Sequence, residues 1–237
     1  MMRDTIEANL CRVRERIEEA CRRVGRPNSD VIIVGVTKTF GPEIVNALVD
    51  AGVEHIGENR IQEFIEKKPR VTRPCRWHLV GTLQRNKATK AVGQFELIHS
   101  VDRLTLAETL SRLGEERGIT TRILLEVNTS GESTKHGFTP DDVAEAAAKV
   151  AALPGLSFEG LMTVGPLTGD PAVVRRSFER LRTLRDRIET GLGRSLAHLS
   201  MGMSDDFDIA VEEGATMVRL GRVLLGEHRG APPAGVR

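Results

Sequence analysis

Short apolar runs, each separated from the next by a longer stretch with helical patterning, limit what this chain can become. Eight such runs occur, at 31–37, 54–57, 77–80, 95–99, 121–127, 156–162, 196–199 and 216–220. The first, Val31-Ile32-Ile33-Val34-Gly35-Val36-Thr37, is apolar or small almost throughout, the pattern of a strand buried on both faces. Helices are predicted near 41–51, 59–68, 84–93, 103–118, 140–153, 171–191 and 205–213, each long enough to be a crossover. Strand, helix and strand in that order give a parallel sheet. Eight such units predict an α/β protein folded as a single (β/α)8 TIM barrel. The alternative, an open doubly wound sheet, is disfavoured because no glycine-rich dinucleotide fingerprint follows the first strand.

Ahead of the barrel, Ile6, Leu10, Val13, Ile17, Ala20, Cys21 and Val24 recur at spacings of three and four. They predict an additional N-terminal amphipathic helix over 3–25, stopped by Gly25 and Pro27. A chain of 237 residues is of the right size for one such domain, taken as 1–228. The tail at 229–237, rich in Gly, Ala and Pro, is expected to be disordered.

Lys and Arg total 34 against 33 for Asp and Glu, so no global charge draws the chain to nucleic acid or an anionic membrane. No apolar run approaches the length of a membrane span, and the charged N-terminus does not read as a signal peptide. Cys11, Cys21 and Cys75 are odd in number and widely spaced, which fits reduced thiols in the cytoplasm. The histidines never fall at paired ligand spacing, so no metal is expected. There is no tyrosine, which removes any mechanism that needs a phenol from this chain.

Function in such barrels collects at the C-terminal ends of the strands. Strand one delivers Lys38 there, and a desolvated amine at that position would condense with an aldehyde. Strand seven ends in Ser200-Met201-Gly202-Met203-Ser204-Asp205-Asp206, with Ser204 placed as a helix N-cap. Strand eight ends in Arg219-Leu220-Gly221-Arg222. The last two βα turns are where such barrels bind phosphate, so an amine would face an anion cup across one mouth. An aldehyde carrying a phosphate fits both, and pyridoxal 5′-phosphate is the commonest such cofactor. Taken singly the parts have plainer readings: His78 as a hydrogen-bonded core histidine, Lys135 as a solvated loop charge, Arg219 as a carboxylate partner. The arginines of 175–187 read as a solvated helix face.

Several strings sharpen this. Gly35-Val36-Thr37-Lys38, His55-Ile56-Gly57-Glu58-Asn59, Trp77-His78-Leu79-Val80-Gly81-Thr82-Leu83-Gln84, Gly160-Leu161-Met162-Thr163, Ser200 through Phe207 and Val218-Arg219-Leu220-Gly221 closely resemble the pyridoxal phosphate homeostasis proteins. The resemblance runs from Val31 to about Glu227. It implies a barrel similar to the N-terminal domain of alanine racemase, holding pyridoxal 5′-phosphate as a Schiff base on Lys38. By the same resemblance Ser204 and the backbone around Gly202 and Gly221 would hold the phosphate, with Ser200 beside them. Asn59 would lie beside the ring, and Arg219 near its nitrogen or the phosphate. Arg60 stands where the family often has tyrosine, and His136 where a smaller residue is common. The implied role is a carrier or regulator of the cofactor pool with no catalytic residue, a monomer whose partners are the cofactor and the apo-enzymes that use it. The alternative is an enzyme acting on amino acids through the same cofactor, such as a low-activity racemase.

Overall fold

The computed structural model describes residues 2–132 and 134–226. Its eight strands are β1 (Ile32–Val36), β2 (His55–Glu58), β3 (Arg76–Leu79), β4 (Leu97–Val101), β5 (Thr121–Glu126), β6 (Leu156–Met162), β7 (His198–Ser200) and β8 (Met217–Leu220). They pair in parallel in chain order, and β8 returns to β1 to close the barrel. The helices are α1 (Met2–Arg23), α2 (Pro42–Asp50), α3 (Ile61–Lys67), α4 (Leu104–Arg117), α5 (Val143–Ala151), α6 (Pro171–Leu192), α7 (Phe207–Glu212) and α8 (Arg222–Leu225). The predicted barrel with an added N-terminal helix is therefore the fold, and the tail expected to be disordered lies outside the described residues.

Two elements depart from expectation. The segment predicted as a helix at 84–93 is instead a 3-10 turn at Arg85–Lys90. Its apolar residues Ala88, Ala91 and Val92 crowd one end, too few for an α-helical stripe, and Gly93 at φ 77° turns the chain at once. The short α8 follows β8 directly where no helix was expected.

Strand periodicity decides what faces inward. On β8, Val218 and Leu220 join the layer between strands and helices, so Met217, Arg219 and the following Gly221 face the interior. On β3, Trp77 and Leu79 point outward in the same way and His78 points inward. Within the barrel a small apolar group of Val34, Leu97, Leu124, Met162 and Met217 fills one level. Ile32, Val80 and Val164 pack against it, and polar side chains such as His78, His99 and Arg219 share the interior. Gly160 on β6 makes closure possible between β6 and β7, since a Cβ there would lie 1.9 Å from the His198 carbonyl oxygen.

The apolar stripe on α1 is buried from Ile6 to Cys21, while Val24, past the end of the helix, is 46% exposed. The helix packs on α7 and α8, and Asn9 Nδ2 donates to the Leu224 carbonyl at 2.8 Å. Each large aliphatic side chain so covered contributes about 1.5–3 kcal/mol.

Candidate functional site

Lys38 lies just beyond β1 at the C-terminal mouth of the barrel. The turn that presents it is held from below by a buried polar cluster. Thr37 Oγ1 donates to Glu58 Oε1 at 2.6 Å, and Lys67 Nζ donates both to the Thr37 carbonyl at 2.8 Å and to the same Glu58 oxygen. Glu58 is fully buried and Lys67 nearly so. Burial pushes the Glu58 carboxyl up, and the Lys67 and Thr37 hydrogen bonds pull it back. Directly after Lys38, Thr39 takes φ 67°, a conformation that a β-branched residue adopts only under constraint, and its N–H donates to Glu63 Oε2. Both neighbours of Lys38 are thus fixed while its own side chain is exposed. The expected desolvation of that amine is not found. The amine buried in this region is Lys67, and it is paired with a carboxylate.

A cavity of about 810 Å3 opens at this mouth, within the usual range for small-molecule sites. Lys38, Asn59, Ser204, Arg219 and Gly221 all line it. Lys38 therefore shares one hollow with the turns after β7 and β8. Ser200 and Gly202 are buried behind this wall. Gly202, at φ 92°, is glycine because a Cβ would meet the Ala210 Cβ at 2.5 Å, so it makes room for α7 rather than for a ligand. Gly221 is different: beyond it lie only ordinary contacts with Val36, which leaves its backbone open.

Ser204 is not the cap of α7. That position belongs to Asp206, whose Oδ1 accepts from the Met203 N–H at 2.6 Å. Ser204 Oγ instead accepts from the Val223 N–H at 3.2 Å, tying the β7 turn to α8. Arg222, the first residue of α8, donates to Asp205 on the β7 turn.

Arg219 is buried and, among the described residues, makes no carboxylate bond. It donates to Ser200 Oγ at 2.7 Å and to the Thr163 carbonyl at 2.8 Å. Burial brings its guanidinium down to about 10, with Asp206 and Glu126 opposing the shift, so it stays cationic at neutral pH. Glu126, last residue of β5, is buried with Oε2 unpartnered. Burial, and then the neighbouring Asp102, push its carboxyl up to about 7 against the pull of Arg219. A carboxyl raised above its unfolded value costs stability as pH climbs from the unfolded to the folded pKa. Glu126→Gln is therefore expected to leave stability near pH ~5 little changed and to raise it by up to ~3 kcal/mol near pH ~8. Urea denaturation at both values checks this; equal effects at the two would contradict it.

At the rim, Lys135 is not the solvated charge its loop suggests. Its Nζ donates to Glu132 Oε1 and to the Gly165 carbonyl, each at 2.7 Å. Arg60 and His136 are exposed. Arg175 and Arg182, placed on a solvated face by sequence, instead reach Glu213 beside α7.

Sequence spacing missed one assembly altogether. His55, His78 and His99, from β2, β3 and β4, form a single file: His55 Nδ1 to His78 Nε2 at 2.8 Å, His78 Nδ1 to His99 Nε2 at 2.9 Å, and His99 Nδ1 to Ser200 Oγ at 2.8 Å. His78 is thus a hydrogen-bonded core histidine, as its plainer reading had it. Among the described residues no group of His, Cys, Asp or Glu is arranged to hold a metal ion, and no helix is long and apolar enough to cross a membrane.

An exposed amine, a buried cation, a hydroxyl and an open glycine backbone around one cavity suit an aldehyde-bearing phosphate ester. The family model described as "Alanine racemase, N-terminal domain" matches residues 8–229, which defines the class of barrel. A solved alanine racemase from Clostridium difficile 630 shares that fold at a TM-score of 0.76 and 17% identity, this chain covering 58% of its length. The chain belongs to the pyridoxal phosphate homeostasis protein family. The member from Aquifex aeolicus is 41% identical over 221 residues, which are 93% of this chain and 97% of that protein. PipY of Synechococcus elongatus PCC7942, solved with PLP bound, superposes at a TM-score of 0.82 with 34% identity, covering 93% of this chain and all of that one.

Proposed function

We propose that this protein binds pyridoxal 5′-phosphate covalently through Lys38 and serves the homeostasis of the intracellular cofactor pool, without turning over a substrate. One observation supports this above the others: Lys38 opens into the same cavity as Ser204, Arg219 and Gly221. The cofactor supplies an aldehyde carbon to which a primary amine adds reversibly. Lys38 is the amine free to add, because Lys67 is committed to Glu58 and to the Thr37 carbonyl. Ser204 and the Gly221 backbone hold the phosphate, Asn59 borders the ring, and Arg219 supplies the compensating positive charge. Ser200 and Gly202 act from behind, the first by holding Arg219 and the second by letting α7 approach.

The reading as a holder of cofactor rather than an enzyme draws on the chain's own inventory. Two-base racemisation in the alanine racemase manner needs a base on each face of the bound substrate, one of them a tyrosine, and this chain has none. A buried guanidinium, which donates to Ser200 and to the Thr163 carbonyl, is suited to binding and ill suited to proton abstraction. Cytoplasmic residence as a monomer, with apo-enzymes as recipients, completes the proposal. A peptide map of the cofactor-loaded protein after borohydride reduction tests ligand and site together. The expected result is one modified peptide, carrying the pyridoxyl phosphate mass at Lys38. A modification on Lys67 or Lys135 instead, or none, would refute it.

A further inference from the structure

The contacts of the histidine file favour one pattern of protons. Arg219 can only donate, so Ser200 Oγ accepts from it. Among the described residues the other Ser200 Oγ contact is His99 Nδ1, the acceptor within reach of the hydroxyl hydrogen, and we place that hydrogen there. His99 then carries its proton on Nε2 and donates to His78 Nδ1; His78 likewise donates from Nε2 to His55 Nδ1. All three rings are Nε2–H tautomers, and every bond points from the mouth toward the base of the barrel. Bonds aligned in this way polarise one another, so the file strengthens the grip of Ser200 on Arg219.

His55 is the end that meets solvent. It is half-buried and lines a second cavity, at the base of the barrel under α1. Arg76, Glu54, Glu96 and His198 surround it, and Arg122 stands near His78. Burial lowers all three histidines, His78 to about 3 and His99 well below the ordinary value, so His55 is where an added proton comes to rest. A charged His55 bears hydrogen on both nitrogens, and its Nδ1–H must then donate to His78 Nε2. That forces His78 and His99 into the Nδ1–H form and makes His99 a second donor to Ser200 Oγ beside Arg219, so the hydroxyl is no longer polarised toward the guanidinium. The balance is simple: each hydrogen crosses to the atom that had accepted it, Ser200 takes up one proton from the mouth, and His55 ends with two.

We propose that His55, His78 and His99 are positioning residues for Arg219, and that a proton held at His55 on the base of the barrel reverses their hydrogen bonds and loosens Arg219 at the mouth. A ligand that engages Arg219 therefore resists protonation of His55, and acid at the base weakens the ligand, as linkage requires. Only the ligand arm of the test rests on the proposed cofactor.

Nitrogen-15 NMR of the cofactor-free full chain comes first. At neutral pH the three rings are expected as Nε2–H tautomers, and as His55 ionises in mild acid His99 is expected to switch to Nδ1–H. A His99 that keeps one tautomer while His55 titrates, or that is Nδ1–H from the start, overturns the proposal whatever the cofactor does. The second arm is His78→Leu, whose side chain neither donates nor accepts and so cannot pass the reversal from His55 to His99. Across the ionisation of His55 the native protein is expected to lose about fivefold more affinity for pyridoxal 5′-phosphate than this variant, the worth of one net hydrogen bond. Identical pH profiles would overturn the proposal. Should His78→Leu fail to fold, the NMR result on the native chain decides alone.

Discussion

Lys38→Ala is expected to fold as the native protein does and to retain no cofactor mass after borohydride reduction. The two halves of that expectation have separate causes. Among the described residues the Lys38 amine makes no hydrogen bond or ion pair, and the side chain is exposed, so its loss should change stability by no more than ~0.5 kcal/mol. The turn that carries it owes its shape to Thr37, Thr39, Glu58, Glu63 and Lys67, all of which remain. The cavity and the side of it proposed to hold phosphate are untouched, so the variant should still bind the phosphate ester weakly and reversibly. Intact-protein mass spectrometry with and without borohydride, beside a thermal melt, reads both halves. A covalent adduct of undiminished yield in the variant would show that another amine does the work.

Lys67→Met should do the opposite, leaving the amine of Lys38 in place and undermining the seat beneath it. Glu58 would then hold a fully buried carboxylate whose cation is gone and whose Oε2 already lacks a partner. Breaking a buried pair from one side costs ~3–5 kcal/mol, against well under ~1 kcal/mol for a surface pair. Glu58→Gln in the same chain should recover much of that, because a neutral amide needs no counter-ion. Urea denaturation of the two single variants and the double variant measures the coupling. Additive effects would mean that the two side chains do not act as one unit. The Thr37 carbonyl also loses its donor in Lys67→Met, so adduct formation at Lys38 should slow even in the fraction that folds.

The strands were legible because a doubly covered parallel strand must be apolar on both faces, and runs such as 121–127 and 156–162 have few other uses. The mouth was legible too, because strand ends and the last two turns follow from the architecture. Capping around Ser204 was misread since Ser204, Asp205 and Asp206 are all good N-caps; only the path of the chain into α8 shows that Asp206 takes α7. The environment of Lys38 was misread for a related reason. A lysine at the end of a buried run is equally consistent with a buried or an open amine, and the buried one proved to be Lys67, on a different element. The file of histidines was beyond reach, since its members sit on three strands and close on Ser200 across the barrel. No spacing along one segment encodes that meeting.

Helix α1 is made early and finds its seat late. Its stripe from Ile6 to Cys21 rests on α7 and α8, and its Asn9 bond to Leu224 joins residues 215 positions apart. During synthesis that face finds only α2 and the short turn before β1 to lie against until α7 and α8 have emerged. Most of the barrel must therefore be made before this helix is fully covered, which puts its docking late in folding.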